Sequence, residues 1–204
     1  GDGLMPLGAA KQALLAAAGV ATGDVVLLAT QTASDSATLA FTSGINSDYI
    51  EYVFDFINMH PATDGTKFQC NFSIDGGSNY NVNKTSSAFQ ARHKEDGGSA
   101  SLAFYATESL DDATGYQPLS IKGVNNDADS QCSGTMSLMN PSSTSYVKQY
   151  ISRAVSMEGS TGYERTADNY VGGFIDSTSA VNAVIFQFAS GNIEAGTIKM
   201  YGIK

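Results

Sequence analysis

Residues 48–75, DYIEYVFDFINMHPATDGTKFQCNFSID, contain two stretches in which apolar and polar side chains alternate. Such alternation is typical of a β-strand that buries one face and exposes the other. It predicts strands over residues 48–59 and 67–75, with outward-facing side chains that include Asn71 and Ser73. The side chains predicted to face the core are Ile50, Tyr52, Phe54 and Phe56 in the first strand, and Phe68, Cys70, Phe72 and Ile74 in the second.

A cluster of turn-forming residues, His60-Pro61-Ala62-Thr63-Asp64-Gly65, separates these two strands. Proline, aspartate and glycine favour the backbone conformations that tight turns require. Because a short turn joins two long, half-buried strands, the stretch predicts an antiparallel hairpin.

The rest of the chain after residue 24 also has the texture of short strands. The predicted strands lie near residues 25–32, 36–41, 99–107, 132–138, 146–157, 170–175, 181–188 and 193–201. The breaks between them are rich in Gly, Ser, Asn and Asp, and no long helical period follows residue 20. A total of about eight to ten strands predicts an all-β, antiparallel sandwich, with the jelly roll as first choice.

The first 22 residues differ in character and are predicted to form an N-terminal helical anchor ahead of a β-sandwich domain over residues 23–204. Pro6 can begin a helix, Gly19 can end one, and strong helix formers lie between them. A helix this short is marginal alone in water, so we expect it to pack against its own domain or to tether the chain to a larger assembly. The predicted anchor residues are Leu4, Leu7, Leu14 and Leu15.

Composition argues against several classes of function. The 204 residues include 11 Lys and Arg against 20 Asp and Glu, a net charge of −9 that repels a phosphate backbone, so no nucleic-acid partner is expected. No run of 18 apolar residues predicts a membrane span, and Lys11 within the apolar N-terminal stretch does not fit a signal peptide. Cys70 and Cys132 are interpreted as buried thiols, with a disulfide left open.

No catalytic site and no cofactor are predicted. A hydrolytic triad needs a positioned imidazole, and the two candidates are His60, in the turn cluster, and His93, in a charged segment predicted to be a loop. No GxSxG motif is present. Glu51 and Asp55 would lie about 13 Å apart on one strand face, which is too far for a glycosidase pair. We therefore expect a protein that is not an enzyme.

Two sets of loop residues are candidate binding positions. Asp127 and Asp129 lie in an Asx-rich segment over residues 125–130 and are weak candidates for calcium binding, because the twelve-residue loop pattern is missing. The loops near residues 75–87 and 105–116 carry polar and aromatic side chains, a combination that suits a receptor or sugar contact. The candidate receptor-facing residues are Asn79, Tyr80, Tyr105 and Tyr116.

The C-terminal segment, FQFASGNIEAGTIKMYGIK over residues 186–204, carries a family resemblance. It resembles the closing hairpin of jelly-roll virion proteins of tailed bacteriophages, particularly marine ones. Residues 49–56 resemble a strand of the same proteins. Residues 4–8, with the alanine-rich stretch that follows, are similar to their short N-terminal segments.

The resemblance implies a non-enzymatic structural protein on the exterior of a virion, assembled as a symmetric oligomer, with a trimer expected. The leading interpretation is a tail fibre or host-attachment protein. It would bind other virion proteins through its N-terminal segment and a host surface glycan or protein through its loops. A capsid decoration or capsid fibre protein is the alternative within this class. Outside it, a carbohydrate-binding module and a glycan depolymerase remain open.

Overall fold

Twelve β-strands and a 3-10 turn at Ala106–Glu108 make up the secondary structure of the computed structural model, which describes residues 24–158 and 164–204. The strands are β1 (Val25–Ser36), β2 (Leu39–Phe41), β3 (Glu51–Pro61), β4 (Phe68–Ser73), β5 (Lys84–Lys94), β6 (Ala100–Phe104), β7 (Gln117–Pro118), β8 (Cys132–Met139), β9 (Lys148–Glu158), β10 (Arg165–Ile175), β11 (Ala183–Phe188) and β12 (Ile193–Ile203). The predicted N-terminal helix and its four leucines lie outside the described residues. In the part that is described, no helix is both long and apolar enough to cross a membrane.

The strands form two antiparallel sheets that pack as a sandwich, so the predicted fold class is confirmed. The first sheet has eight strands in the order β1-β12-β3-β8-β9-β10-β5-β6, and the second has four in the order β2-β11-β4-β7. The block β1-β12-β3-β8 faces the second sheet across the core, and Tyr150 of β9 also contacts that sheet through Phe72 and Gln117. The eight strands of this block and the second sheet have the order of a jelly roll: along the chain they pass from one sheet to the other at every step except between β4 and β7, which both lie in the second sheet.

The other four strands, β9-β10-β5-β6, extend the first sheet beyond β8, and we call them the extension. They come from two insertions into the jelly roll. One insertion, between β4 and β7, supplies β5 and β6, and the other, between β8 and β11, supplies β9 and β10. The two insertions meet where β5 pairs with β10 over the full length of both strands.

Phenylalanine rings from both sheets fill the core. Phe186 of β11 lies among them, with its ring centroid 5.4 Å from that of Phe54 and 5.9 Å from that of Phe68. Phe41 and Phe56 complete the group, at 6.3 and 6.5 Å from Phe186. Since β3 belongs to the first sheet and β4 and β11 to the second, these contacts hold the sandwich together.

The predicted hairpin of β3 and β4 is wrong, because the two strands lie in opposite sheets and face each other across the core. The rings of Phe56 and Phe68 are 5.3 Å apart there. Residues 62–67 connect the strands, and six residues can span about 20 Å, which is enough to cross the roughly 10 Å between packed sheets. The closing hairpin expected at the C-terminus is also wrong, because β11 lies in the second sheet and β12 in the first, and the two strands do not pair.

The alternating pattern predicts the inward aromatic residues correctly but fails at its ends and on one face. Tyr52, Phe54, Phe56, Phe68 and Phe72 are fully buried, together with Cys70. Ile50 and Ile74, predicted inward, are instead 65 % and 39 % exposed because they lie just outside the strands. Asn71 and Ser73, predicted outward, are buried because later segments of the chain cover the outer face of β4.

Both histidines belong to strands rather than to the predicted turn and loop. His60 lies near the end of β3, and His93 lies in β5, a strand that the sequence pattern did not predict. The inward side chains of β5 include Lys84 and Gln90, so the strand lacks the apolar alternation that marks β3.

The two cysteines are free and fully buried, as the thiol interpretation predicted. Burial raises the pKa of each thiol to about 12, so both remain protonated at neutral pH. Cys70 Sγ lies 3.7 Å from Met136 Sδ, a contact between the two sheets. Both residues therefore act as small core side chains.

Phe54→Ala and Phe72→Ala should each lower the free energy of unfolding by about 3–5 kcal/mol, because each leaves a cavity between the sheets. Phe54 contacts Phe41 and Phe186, and Phe72 packs on Tyr150 at 5.1 Å. Ile50→Ala is the control, with an expected change within about 0.5 kcal/mol at this exposed position. Urea denaturation followed by circular dichroism measures all three. Near-neutral values for both phenylalanines would contradict this core.

Candidate functional site

A buried lysine occupies the outer side of β4. Lys84 is fully buried, and its Nζ donates hydrogen bonds to Asn71 Oδ1 at 2.7 Å and to the carbonyl oxygen of Val82 at 2.8 Å. The carbonyl oxygen of Thr114 lies 3.4 Å away. Burial lowers the pKa of this ammonium group to about 8. Because its acceptors are neutral oxygens, the group holds nearby loops by hydrogen bonding and not through an ion pair.

Asn71 joins two of the loops that were predicted to face a receptor. Its Nδ2 donates to the carbonyl oxygens of Tyr80 at 2.7 Å and Thr114 at 3.1 Å. Burial is the main cause that raises the pKa of the Tyr80 and Tyr116 phenols, and the nearby Tyr116 raises that of Tyr80 further. The structure thus brings Tyr80 and Tyr116 together as half-buried side chains, with the Tyr80 hydroxyl enclosed and without a hydrogen-bond partner.

Asn79 is exposed, but its polar groups hold a turn. Its side-chain Nδ2 donates to Asp75 Oδ2 at 2.7 Å, and its backbone N–H donates to Asp75 Oδ1 at 2.9 Å. Hydrogen bonds from the Asn79 side chain and then from Ser73 lower the pKa of Asp75 to about 2. The side chain of Asn79 therefore stabilises its own loop through Asp75.

Tyr105, the fourth candidate receptor residue, packs against the core. It is half-buried, and Lys122 Nζ lies 4.9 Å from the centroid of its ring. Its carbonyl oxygen accepts the backbone N–H groups of Glu108 and Ser109, each at 3.1 Å. Tyr105 thus has a structural role, because its carbonyl oxygen stabilises the start of the 3-10 turn.

The segment over residues 125–130, the candidate calcium site, contains both exposed acidic residues and buried polar ones. Asp127 and Asp129 are both exposed, while Asn125 and Ser130 are buried with side-chain polar atoms that lack protein partners. Across the described ranges, no group of three or more His, Cys, Asp or Glu side chains is placed to hold a metal ion. Calcium binding therefore gains no further support from the geometry.

The two imidazoles have different surroundings. His60 is half-buried, with Nδ1 2.7 Å from the carbonyl oxygen of Ser130 and Nε2 3.6 Å from Glu194 Oε2. His93 is exposed, and its register partners on the neighbouring strands are Thr166 and Ala100. These contacts tie His60 to its neighbouring segments.

The inner side of the extension is held by a buried polar network. Asn169 Oδ1 accepts from Gln90 Nε2 and from the backbone N–H of Ile121, each at 2.9 Å. Gln90 Nε2 also donates to Glu158 Oε1, and burial raises the pKa of that carboxyl group. These amides attach residue 121, from the segment that follows β7, to the extension.

The outer side of the extension carries an exposed row of aromatic side chains. Phe104, Phe89, Tyr170 and Arg153 are successive register partners on β6, β5, β10 and β9. The rings of Phe89 and Tyr170 stack with centroids 4.8 Å apart and an interplanar angle of 2°, and the Arg153 guanidinium lies 5.1 Å from the Tyr170 centroid. Arg153 also forms a two-bond ion pair with Asp168, at 3.0 and 2.7 Å.

We call this surface the apolar outer face. It consists of Phe89, Leu102, Phe104, Ile151, Val155 and Phe174, which are between 38 % and 73 % exposed. The sequence patterns missed it because β5 was not predicted as a strand. A weak signal is present in β9, where exposed Ile151 and Val155 alternate with buried side chains, so that both faces of the strand carry apolar residues.

No protein-family model, curated protein or solved structure matches the chain.

Lys84→Met should change how stability depends on pH. Because burial lowers the pKa of Lys84 to about 8, from 10.5 for a lysine in water, the unfolded chain binds more protons between these two pH values. The free energy of unfolding of the wild type should therefore rise relative to that of Lys84→Met, by about 2 kcal/mol between about pH 7.5 and about pH 9.5.

Urea denaturation at several pH values measures this difference. Lys199→Met, which removes a lysine from β12, is the control for the loss of one positive charge. A difference between wild type and Lys84→Met that stays constant with pH would contradict the assignment of Lys84 as an amine whose pKa falls when the chain folds.

Proposed function

We propose that this chain is a non-enzymatic structural protein on the exterior of a bacteriophage virion. It acts as a tail fibre or host-attachment protein, tethered by residues 1–22 and assembled as a symmetric oligomer, with a trimer as the first state to test. The β-sandwich is the displayed part, and a host surface glycan or protein is its external ligand. A capsid decoration or capsid fibre protein is the alternative location.

The observation that carries this proposal is the jelly-roll strand order. Jelly rolls recur in viral structural proteins and in lectin-type domains. The segment that resembles phage virion proteins, residues 186–204, supplies the second half of β11 and all of β12, two strands that each lie between two neighbours in their sheets. The resemblance therefore falls on strands that are central to the architecture.

The chemistry of the described side chains supports a role that does not involve turnover. The two thiols are buried and protonated, which makes them poor nucleophiles. Glu51 and Asp55 lie four positions apart on β3, and Asp55 has Lys199 and Thr135 as its register partners. The exposed apolar residues of the extension suit a contact surface better than a reaction site.

Immunogold electron microscopy of phage particles tests the location. Antibodies raised against the purified β-sandwich should label intact particles, because the proposal places this domain on the exterior. Label at the tail supports a fibre or attachment protein, and label over the whole head supports the capsid alternative. Unlabelled particles, in a preparation where antibody to a known surface protein does label, would contradict the virion proposal.

Deletion of residues 1–20 should leave the β-sandwich folded and abolish its incorporation into particles, since the two described sheets are built from strands at Val25 and beyond. Thermal melting measured by circular dichroism should give a midpoint close to that of the full chain, while western blots of purified particles should lose the protein. A truncated chain that unfolds at a much lower temperature would contradict the tether and indicate that these residues stabilise their own domain.

A further inference from the structure

The apolar outer face is continuous across the four strands of the extension. Leu102, Ala91, Asp168 and Val155 are register partners that form a second row beside the aromatic one. On the other side of the aromatic row, Ile151 is the register partner of Gly172. The face thus combines large apolar side chains with a shallow depression at Gly172, which has no side chain. A Cβ atom added to Gly172 would have no heavy atom within 4 Å beyond those of Gly172 and its two chain neighbours.

Along the aromatic row, the apolar character stops at the jelly-roll part of the same sheet, although Val25, Leu27 and Ile57 are exposed elsewhere on that part. The aromatic row continues from Arg153 of β9 to Thr135 of β8, Asp55 of β3 and Lys199 of β12. These side chains are polar or charged, as is usual for the solvent face of an antiparallel sheet. The exposed rings are therefore a local feature of the inserted strands.

Strand β6 ends the sheet without the usual protection of an edge. Its sequence, Ala-Ser-Leu-Ala-Phe over residues 100–104, has no charged residue and no proline, and its pairing with β5 has no bulge. Four of its five residues are exposed, with Leu102 at 73 % and Phe104 at 63 %. Within the described residues, the other side of β6 has no strand partner. Natural proteins guard such edges unless another chain covers them.

The charges of this face favour a second copy of the same chain as its occupant. A chain with a net charge of −9 repels its copies over most of its surface. Residues 168–174 of β10 pair with residues 85–91 of β5 and 149–155 of β9. Asp168 and Arg153 are the charged residues of these three segments, and they form an ion pair, so the net charge there is zero. A contact between copies at this face therefore brings little like charge together, because the ion pair and its apolar surroundings add no net charge.

The aromatic row is already ordered before any partner binds. The Arg153–Tyr170–Phe89 stack and the Arg153–Asp168 ion pair hold these side chains in place. The hydrogen bond from Arg153 is the main cause that lowers the pKa of Asp168. Ordered aromatic and arginine side chains lose little conformational freedom on association, and both residue types are enriched in protein interfaces.

We propose that the apolar outer face and the β6 edge form the contact between copies of this chain. This inference rests on the symmetric oligomer in the proposed function and deepens it by naming the surface through which the copies associate. Leu102 and Phe104, the most exposed residues of the face, are its central contacts.

Light scattering after size-exclusion chromatography of the full-length protein tests this contact. The wild type should have twice or three times the mass of one chain, and Leu102→Glu/Phe104→Glu should have the mass of one chain, because buried glutamates from each copy would repel. Ile50→Glu/Tyr146→Glu is the matched control, with two side chains of similar exposure outside the strands, and it should keep the wild-type mass. A wild-type monomer, or a double variant that keeps the wild-type mass, would overturn the inference.

Hydrogen exchange of the wild type keeps the test independent of how the variant folds. The amides of residues 100–104 should exchange more slowly at concentrations where the oligomer forms than on dilution to the monomer. Equal exchange in both states would overturn the proposed contact. Particle labelling is a separate readout: a wild-type monomer, with particles that still bind the antibody, would overturn this inference and the oligomer of the proposed function but leave its virion location standing.

Discussion

The structure depends on the packing of phenylalanine rings between its two sheets. Phe186 touches rings from both sheets, so the distance and angle between the sheets are set around this side chain. Strands β2, β3, β4 and β11 contribute inward side chains to the cluster, which therefore joins strands of both sheets. The loops and the extension are attached to a core whose geometry the aromatic residues fix.

The predictive value of the sequence varied with the kind of side chain that a strand buries. In β3, strict alternation made Tyr52, Phe54 and Phe56 recognisable as core residues, because their inward positions are aromatic. In β5, the inward positions include Lys84 and Gln90, whose burial depends on partners distant in sequence, such as Asn71 and Asn169. Local periodicity carries no information on such partners, so this strand and the face that it completes could not be predicted.

Strand pairing was a second limit, again for a physical reason. A side chain that points inward is equally consistent with either sheet of a sandwich, because both sheets bury one face. Phe56 and Phe68 were correctly placed in the core, yet the connection between them crosses from one sheet to the other. Among the candidate receptor residues, Tyr80 and Tyr116 do come together, while the side chain of Asn79 braces its own turn through Asp75.

The double origin of the extension sets the order in which its surface can form. Pairing of β5 with β6 and of β9 with β10 is local, whereas pairing of β5 with β10 joins parts of the chain that are far apart in sequence. During synthesis, Phe89 leaves the ribosome long before Tyr170, the ring on which it stacks. The aromatic row can therefore be completed only after β10 has been made, whereas the pairing of β5 with β6 can form earlier.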